Sequence, residues 1–557
     1  MSLEDGLVGA WELATDGRDA SGLGRHAEAR GAVTFGRSTE PSDPRSVARI
    51  EGGMGHLVIP GHPWAGPGTT DFSLALRLRP SERPMTGLGD IAAAFDRTER
   101  RGFTLGFQHG SACGNHGNDR NLFFGLDAGS EPRWTDHGRP GPATIMVCAL
   151  AVHDGDLYAA TWEAAPSDRG HVYRMQADGW VDCGSPWDAN AVSRLAVHDG
   201  RLYAGVSRLR GGGSGMPDSA NRNPGGRIFR YEGGRDWADC GQLEGADSIA
   251  GLVPFGGDLY AIPMYSEGVF RMRAPGDWVS CGTPGRRLLA LGVHAGSLYG
   301  AGNDNADVDS AIAETAAGIV VPARSSEGGG GMFRYAGDQA WVSLGLQPDT
   351  TQVYSIETYG EAMYIGTWPN GLVFRHDGGT RWHPTGRLGI ETEVMTLLAY
   401  NGMLYAGTLP HAQVFRYDGD DRWPLVGTLD RTPDVRYRRA ASMAVFRGEL
   451  FCGTLPSGHV HSMRTGLGVS VDRALRSGWH HLAAVRSGRS VSLFVDGVRV
   501  GSRTDEATGP LDLGALPSLV LGGGPRAGFD GEFAAVRLYG RALSGDEIAA
   551  LAAGAMA

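Results

Sequence analysis

The sequence predicts an all-β protein, a seven-bladed β-propeller inserted into a split jelly-roll sandwich. Three observations predict it. A strand-rich unit recurs seven times through the middle of the chain, one strand of that array is displaced to its front, and the two flanks share an alternating hydrophobic pattern.

The repeat comes first, because a fixed period decides the architecture before any local propensity does. Each unit has an apolar strand, a turn such as HDG, a strand ending in LYAGT, a variable loop, a strand of the type GxVFRY, a glycine turn and a strand W-x-x-x-G. Its aromatic anchor falls at Tyr158, Tyr203, Tyr260, Tyr299, Tyr364, Tyr405 and Phe451, with gaps of 45, 57, 39, 65, 41 and 46 residues. The two long gaps carry Gly/Asn/Ser-rich insertions. Four short strands per unit, at a period of roughly 40 residues, is the pattern of propeller blades and not of a helical solenoid.

The last strand of the unit carries Trp180, Trp237, Trp278, Trp341, Trp382 and Trp423, one fewer than seven units need. The seventh unit ends at HVHSM without a tryptophan, whereas RWTDHG, with Trp134 and Gly138, stands alone just ahead of the first unit. Pairing this strand with the last unit would close the ring and remove the edges that an open circle of sheets exposes.

Residues 1–130 and 465–557 are expected to form one sandwich around the propeller of 131–464, because the ends of a closed ring lie close together. Alternation in DFSLALRLRP, GFTLGF, HHLAAV and VSLFVDG fits strands with one wet and one buried face. The segments GLVGAWEL, DGRDASGLGRHA, SGWHHLAAVRSGRSVSLFVDGVRVG and FDGEFAAVRLYGRALSGDEIAAL resemble the laminin-G-like, concanavalin A-type jelly rolls. That resemblance implies a sandwich that engages carbohydrate, with Ca2+ near the DxSGxG turn and Asp19 and Asp530 as its carboxylates. The plainer alternative is that Asp19 shapes a turn and Asp530 caps a hairpin. The segment HGSACGNHGNDRNLFFGLD adds His109, His116, Asn118 and Asp119, either a loop over a ligand or a solvated loop.

Composition narrows the chemistry. A formal net charge of -11 speaks against nucleic acid as a partner, since that binding needs a basic stripe. All 51 cationic residues are arginine, which excludes Schiff-base lysines, lysine bases and a Walker phosphate loop. No motif for an organic cofactor is present. No apolar run reaches membrane-spanning length and no basic-then-apolar leader opens the sequence, so as written it reads as cytoplasmic and not membrane-inserted; a trimmed secreted protein would look the same, which leaves localisation open. The cysteines lack metal or redox spacing; Cys183, Cys240 and Cys281 recur in phase after the repeated tryptophans and read as buried strand filler.

Ligands of a propeller favour the face built from the loops joining second to third strands and blade to blade. Subtracting the repeated residues leaves Trp162, Tyr265, Trp368, Asn370, His411 and His459 there, with Trp187, Asp188, Arg286, Arg287, Glu391, Glu393, Arg438 and Arg439 in the blade-linking segments. Aromatic plates beside polar groups suit a poly- or oligosaccharide. His411, Tyr265, His459, Arg286 and Arg439 are the candidates for catalysis: an arginine neutralises a uronate carboxylate and a histidine or tyrosine removes the neighbouring proton. Trp162, Trp187, Trp368, Asn370, Arg287 and Arg438 are the candidates for holding substrate.

Propeller-type polysaccharide lyases and exo-glycosidases use similar sets, a resemblance of architecture without a shared motif. Hydrolysis would instead need two carboxylates from Glu163, Glu267, Glu391 and Glu393. His459 and His461 alternate on one strand face, which suggests a metal pair lacking a third ligand. The expected function is degradation of polysaccharide in the propeller funnel, by β-elimination at a uronic acid or by exo-hydrolysis. The alternative is a non-catalytic recognition protein, a lectin-like jelly roll joined to a docking ring, for glycan or protein.

Overall fold

The computed structural model describes residues 2–554 apart from 42, 62–67, 83–87, 111–113, 166, 304–312, 316–317, 321–329, 348–349 and 507–510. Cys113 and most of the second long insertion therefore lie outside the described residues.

The protein is almost entirely β. One continuous sheet system runs, in hydrogen-bonded order, from Leu467–Val471 through Asn118–Ala128, Arg101–Gly110, Asp90–Asp96, Leu519–Leu521, Ser46–Ile59 and Gly531–Tyr539. It continues through Phe72–Pro80, His480–Ser487 and Ser490–Val495 to Val498–Thr504. Strands from both ends of the chain thus alternate in one jelly roll. Its core is a single cluster in which Trp11, Phe103, Phe107, Phe124, Phe529 and Phe533 are fully buried. The WHHLA and LFVDG segments form neighbouring antiparallel strands, with Leu482 opposite Val495 and Ala484 opposite Leu493. The one α-helix among the described residues, α1 (Gly545–Ala552), starts at a capping box: Ser544 accepts from the Glu547 N–H and Glu547 reaches back to the Ser544 N–H. It buries Ile548 and Leu551 on the outer face of the sheet against Phe494, Val485 and Tyr539.

The seven blades follow in order, each a four-stranded antiparallel sheet. The outer strand of the seventh is Arg133–Asp136, which pairs Met463 with Trp134 and His461 with Asp136 and so closes the ring. The tryptophan repeat has a physical cause. Every outer-strand indole donates its Nε1–H to a backbone carbonyl of the preceding blade: Trp134 to Val426, Trp180 to His137, Trp237 to Cys183, Trp278 to Cys240, Trp341 to Cys281, Trp382 to Leu344 and Trp423 to Thr385, at 2.6–3.3 Å. Seven such bonds around the rim stitch the blades together, each worth about 1 kcal/mol net. Cys183, Cys240 and Cys281 are buried, as small strand residues that follow those indoles should be.

The innermost strands share a second regularity. Each blade has a register slip at the equivalent place, where Cys148, Ser193, Ala250, Leu289, Tyr354, Met395 and Ala441 are skipped in the pairing with the second strand, and blade 1 slips again at Ile145. A bulge re-aims the side chain it carries: Cys148, Met395 and Ala441 pack in one apolar cluster, whereas Ser193 turns to the Ile249 carbonyl of blade 3.

The jelly roll sits on the propeller face formed by the short HDG-type turns. Phe123 meets Tyr400 edge-on at 5.7 Å, Arg97 lies 4.6 Å over the Tyr359 ring, and the Gly360 N–H donates to Pro525 O at 2.7 Å. From the same face the tip of the hairpin between Arg101–Gly110 and Asn118–Ala128 enters the channel. Its backbone bonds to the inner strands of three blades: Gly114 O accepts from Leu252, Gly117 O accepts from Val152, and His116 pairs in parallel with Ala196. The histidine-rich loop is therefore a plug, and not a solvated excursion.

Candidate functional site

The opposite face of the propeller is free of the jelly roll, and its channel has two unlike halves. On one side Met146, Cys148 and Trp162 of blade 1, Ala191 of blade 2, Met395 of blade 6, and Ala441 and Leu455 of blade 7 form one buried apolar cluster. Leu209 and Met216 pack onto it from the first long insertion. That insertion runs from blade 2 to blade 7. Gly213 O accepts from Arg439 Nη2 at 2.7 Å, and Gly215, at φ +62°, passes so near Arg436 that a Cβ there would lie 3.0 Å from the Arg436 Cβ. Trp162, a candidate substrate plate, is 2% exposed and packs inside this cluster.

On the other side polar groups from several blades gather. Arg287 donates to Met264 O at 2.8 Å and lies near both Tyr265 and Tyr354. Tyr354, the bulge residue of blade 5, donates to Gln352 and neighbours Glu393, Arg439 and Arg287. Burial, reinforced by the Glu393 charge, raises the Tyr354 hydroxyl well above its ordinary value despite the two guanidiniums. Burial likewise raises Glu393, partly offset by Arg439 and by Tyr354. Tyr265 is raised by burial too; its hydroxyl accepts from Arg210 N at 3.2 Å and its ring carries the Arg210 guanidinium at 4.2 Å. Tyr265, Arg287 and Arg439 from the candidate set thus surround one polar patch. Tyr354 is the member that sequence reasoning missed. Its signal was present: it replaces the small or aliphatic bulge residue of the other blades.

The remaining candidates stand elsewhere. His411 contacts blade 6 itself, with Nδ1 2.5 Å from Glu391 Oε1 and its N–H donating to Glu391 Oε2 at 3.1 Å. Glu391 is fully buried and also accepts from Thr408 at 2.7 Å, so it anchors the loop that carries His411. Arg438 bridges backbone to backbone with that loop and donates to Thr432 O at 2.7 Å. His459 lies on the rim of blade 7, 2.9 Å from Asp136, because ring closure brings the Arg133–Asp136 strand beside it. Arg286 lies over the Phe333 ring at 5.6 Å. Trp368 is buried and precedes a cis peptide bond to Pro369, with Asn370 half-buried in the same turn. Trp187 is 40% exposed, under the Arg227 guanidinium at 4.8 Å.

In the jelly roll, Asp19 accepts N–H bonds from Ala10, Ser21 and Arg25 at 2.9–3.1 Å, and Asp530 accepts one from Gly52 at 3.2 Å. Three backbone N–H groups bond the Asp19 carboxylate and so order the turn that carries it.

A second cavity, of about 520 Å3, opens on the outer face of the jelly-roll sheet at the end of α1. Arg45, Arg77, Arg537, His481 and Glu12 line it. Arg77 donates to Ala552 O at 2.6 Å, Arg45 pairs with Asp43 at 2.9 Å and lies 4.8 Å over the Trp479 ring, and Arg537 pairs with Glu12. Burial, aided by the Arg77 charge, lowers His481 to about 4, and its Nδ1 has no hydrogen-bond partner.

Comparison with known proteins bears on the fold. Residues 463–549 match the laminin-G-type family described as the concanavalin A-like lectin/glucanases superfamily. No curated protein matches the chain. Among solved structures, a catalytically inactive virginiamycin B lyase from Staphylococcus aureus, with quinupristin, aligns at 11% identity and TM-score 0.43, covering 60% of this chain and 99% of its own. YCF48 from Cyanidioschyzon merolae aligns at 10% identity and TM-score 0.37, covering 59% of this chain and 98% of its own. The WD40 β-propeller domain of Doa1 aligns at 10% identity and TM-score 0.38, with 60% and 97% covered. No helix among the described residues is long and apolar enough to cross a membrane.

Proposed function

We propose that this protein recognises an acidic poly- or oligosaccharide without cleaving it, holding the sugar in the jelly-roll cavity beside α1. The observation that carries the reading is the convergence there of three guanidiniums and the unpartnered His481 imidazole around a space sized for one or two sugar rings. Guanidinium forks match carboxylates in pairs, and the Trp479 ring under Arg45 stiffens one of them. The channel supports the same reading from the other side. It is filled by apolar side chains on one half and entered by the jelly-roll hairpin at its far end.

The second reading, elimination at a uronate within the propeller, draws on the Arg287, Tyr354, Glu393 and Arg439 patch. Its weakness is protonation. A phenolate base needs a lowered pKa, whereas both Tyr354 and Tyr265 hold their protons more tightly than free tyrosine.

Calorimetric titration with oligogalacturonate and oligomannuronate, alongside absorbance near 235 nm, separates the two. Binding that weakens at least tenfold in Arg77→Gln, with flat absorbance, is the expected result. A rise in absorbance that Tyr354→Phe abolishes would establish elimination instead, and an absence of heat with neutral and acidic glycans alike would end the carbohydrate reading.

A further inference from the structure

The hairpin that plugs the propeller carries a feature at its root that the glycan reading does not use. His109 is the penultimate residue of one strand, Asp119 the second of the next, and His116 stands between the two strands. His109 Nδ1 is 3.1 Å from Asp119 Oδ1 and His116 Nε2 is 3.9 Å from the same oxygen. The two imidazoles meet edge to face at 4.9 Å. One ligand atom from each of the three residues lies within 4.8 Å of the others.

The surroundings are those of a built site. His116 is 3% exposed and its Nε2, turned toward Asp119, has no hydrogen-bond partner. A buried imidazole nitrogen without a partner loses the hydrogen bond it had in water and has nothing in exchange. The backbone of His116 is pinned by its pairing with Ala196, so the ring cannot swing out to solvent with the loop. All three residues line a cavity of about 690 Å3 between the jelly roll and the turns of blades 2 to 5, with His198 on its propeller wall. The neighbouring Arg120 donates to Ser81 O and Leu475 O at 3.1 Å.

We propose that His109, His116 and Asp119 bind one divalent first-row transition metal ion, which fastens the plug hairpin and presents its open coordination positions to the inter-domain cavity. Two imidazoles with one carboxylate select zinc, iron or cobalt over calcium and magnesium, which take oxygen sets. Metal bonds of about 2.0–2.1 Å require neighbouring ligand atoms about 3.3 Å apart, so His116 Nε2, at 3.9 Å, has to close by more than half an ångström on Asp119, and the group as a whole, now within 4.8 Å, has to draw in around the ion. The cavity then leaves room for water or a small anion on the metal.

The rim cluster Asp136, His459 and His461 is the control, because it is the other three-residue group among the described residues. Full-length protein is stripped with chelator and titrated with Co2+ and then Zn2+, following visible absorption and bound metal per chain. The expected result is one equivalent of Co2+ with a ligand-field spectrum, displaced by Zn2+, and a Zn2+-dependent rise in Tm. Asp119→Asn and His109→Gln should each weaken binding at least tenfold and erase that rise, while His459→Ala leaves both unchanged. Asp119→Asn keeps the shape of the buried side chain, so the test does not depend on a variant of the pinned His116. Failure of either metal to bind at micromolar concentration, or binding lost in His459→Ala and kept in Asp119→Asn, would overturn the assignment.

Discussion

Asn118 of the jelly-roll hairpin closes a two-way hydrogen bond with the backbone of Val445 in blade 7: its Nδ2 donates to Val445 O at 2.8 Å and its Oδ1 accepts from Val445 N at 2.9 Å. The two residues are 327 positions apart. The amide imitates a strand neighbour on an inner strand that would otherwise face the channel with bare polar groups. Nδ2 is also shared with Asn121 at 2.9 Å, which fixes the side chain before docking.

Asn118→Ala should therefore cost about 1–3 kcal/mol, because it leaves a buried N–H and a buried C=O unpaired. Chemical denaturation should show a lower midpoint, and amide exchange at Val445 should rise more than exchange in the blade 3 and 4 strands. An unchanged midpoint would mean that the plug contributes little to holding the two units together.

Ring closure can be tested at Trp134, whose indole donates to Val426 O at 2.8 Å and presses on Gly427, where a Cβ would lie 2.4 Å from Nε1. Trp134→Phe should cost about 1 kcal/mol for the lost bond, and Trp134→Ala about 3–5 kcal/mol. Gly427→Ala should destabilise in the wild-type background and much less beside Trp134→Ala. Denaturation midpoints of the four proteins measure this coupling.

Glu357 of blade 5 faces Arg526 of the jelly roll, whose backbone N–H donates to Asp90 Oδ2 at 2.8 Å. Burial raises Glu357 to about 8 and Asp90 to about 6, with Arg526 opposing both. A raised carboxyl pKa means that the folded state keeps a proton the unfolded state has released. Stability should thus fall as pH rises from about 4.5 toward 8, by up to about 1.4 kcal/mol per unit. Melting temperatures taken between pH 5 and pH 9 should drop for the wild type and flatten for Glu357→Gln; parallel curves would show that Glu357 is not the group responsible.

Arg439→Gln should release the blade 2 insertion by removing the contact of Nη2 with Gly213 O. Faster amide exchange confined to residues 208–218, with unchanged affinity for acidic oligosaccharide, is the outcome expected if the sugar sits in the jelly roll. A matching loss of affinity would move the binding site to the propeller face.

Calcium addition or chelation should leave Tm unchanged to within about 1 °C, since the Asp19 oxygens accept three N–H bonds. Asp19→Asn should still destabilise by about 1–2 kcal/mol, as the carboxylate organises the turn. A calcium-dependent rise in Tm that this variant removes would restore the metal reading.

The sequence by itself determined the fold class. A period near that of a blade, the LY anchors and the tryptophan displaced to Trp134 are local signals, repeated often enough to be counted, and each answers to one strand's own needs. The arginine of the repeated GxVFRY strand is structural: Arg174, Arg271, Arg375 and Arg416 pair with Asp156, Asp258, Asp377 and Asp418. Only the tertiary structure decided what fills the channel. Met395 and Cys148 lie far apart in sequence yet pack in one cluster. The plug hairpin meets blades 1, 2 and 3 through backbone bonds that leave no residue pattern, and blade 7 through the Asn118 side chain. Tyr354 gathers Arg287, Glu393 and Arg439 because a bulge turns it inward. Strand periodicity is written in neighbours two residues apart, whereas these contacts depend on how whole blades and domains meet across hundreds of residues.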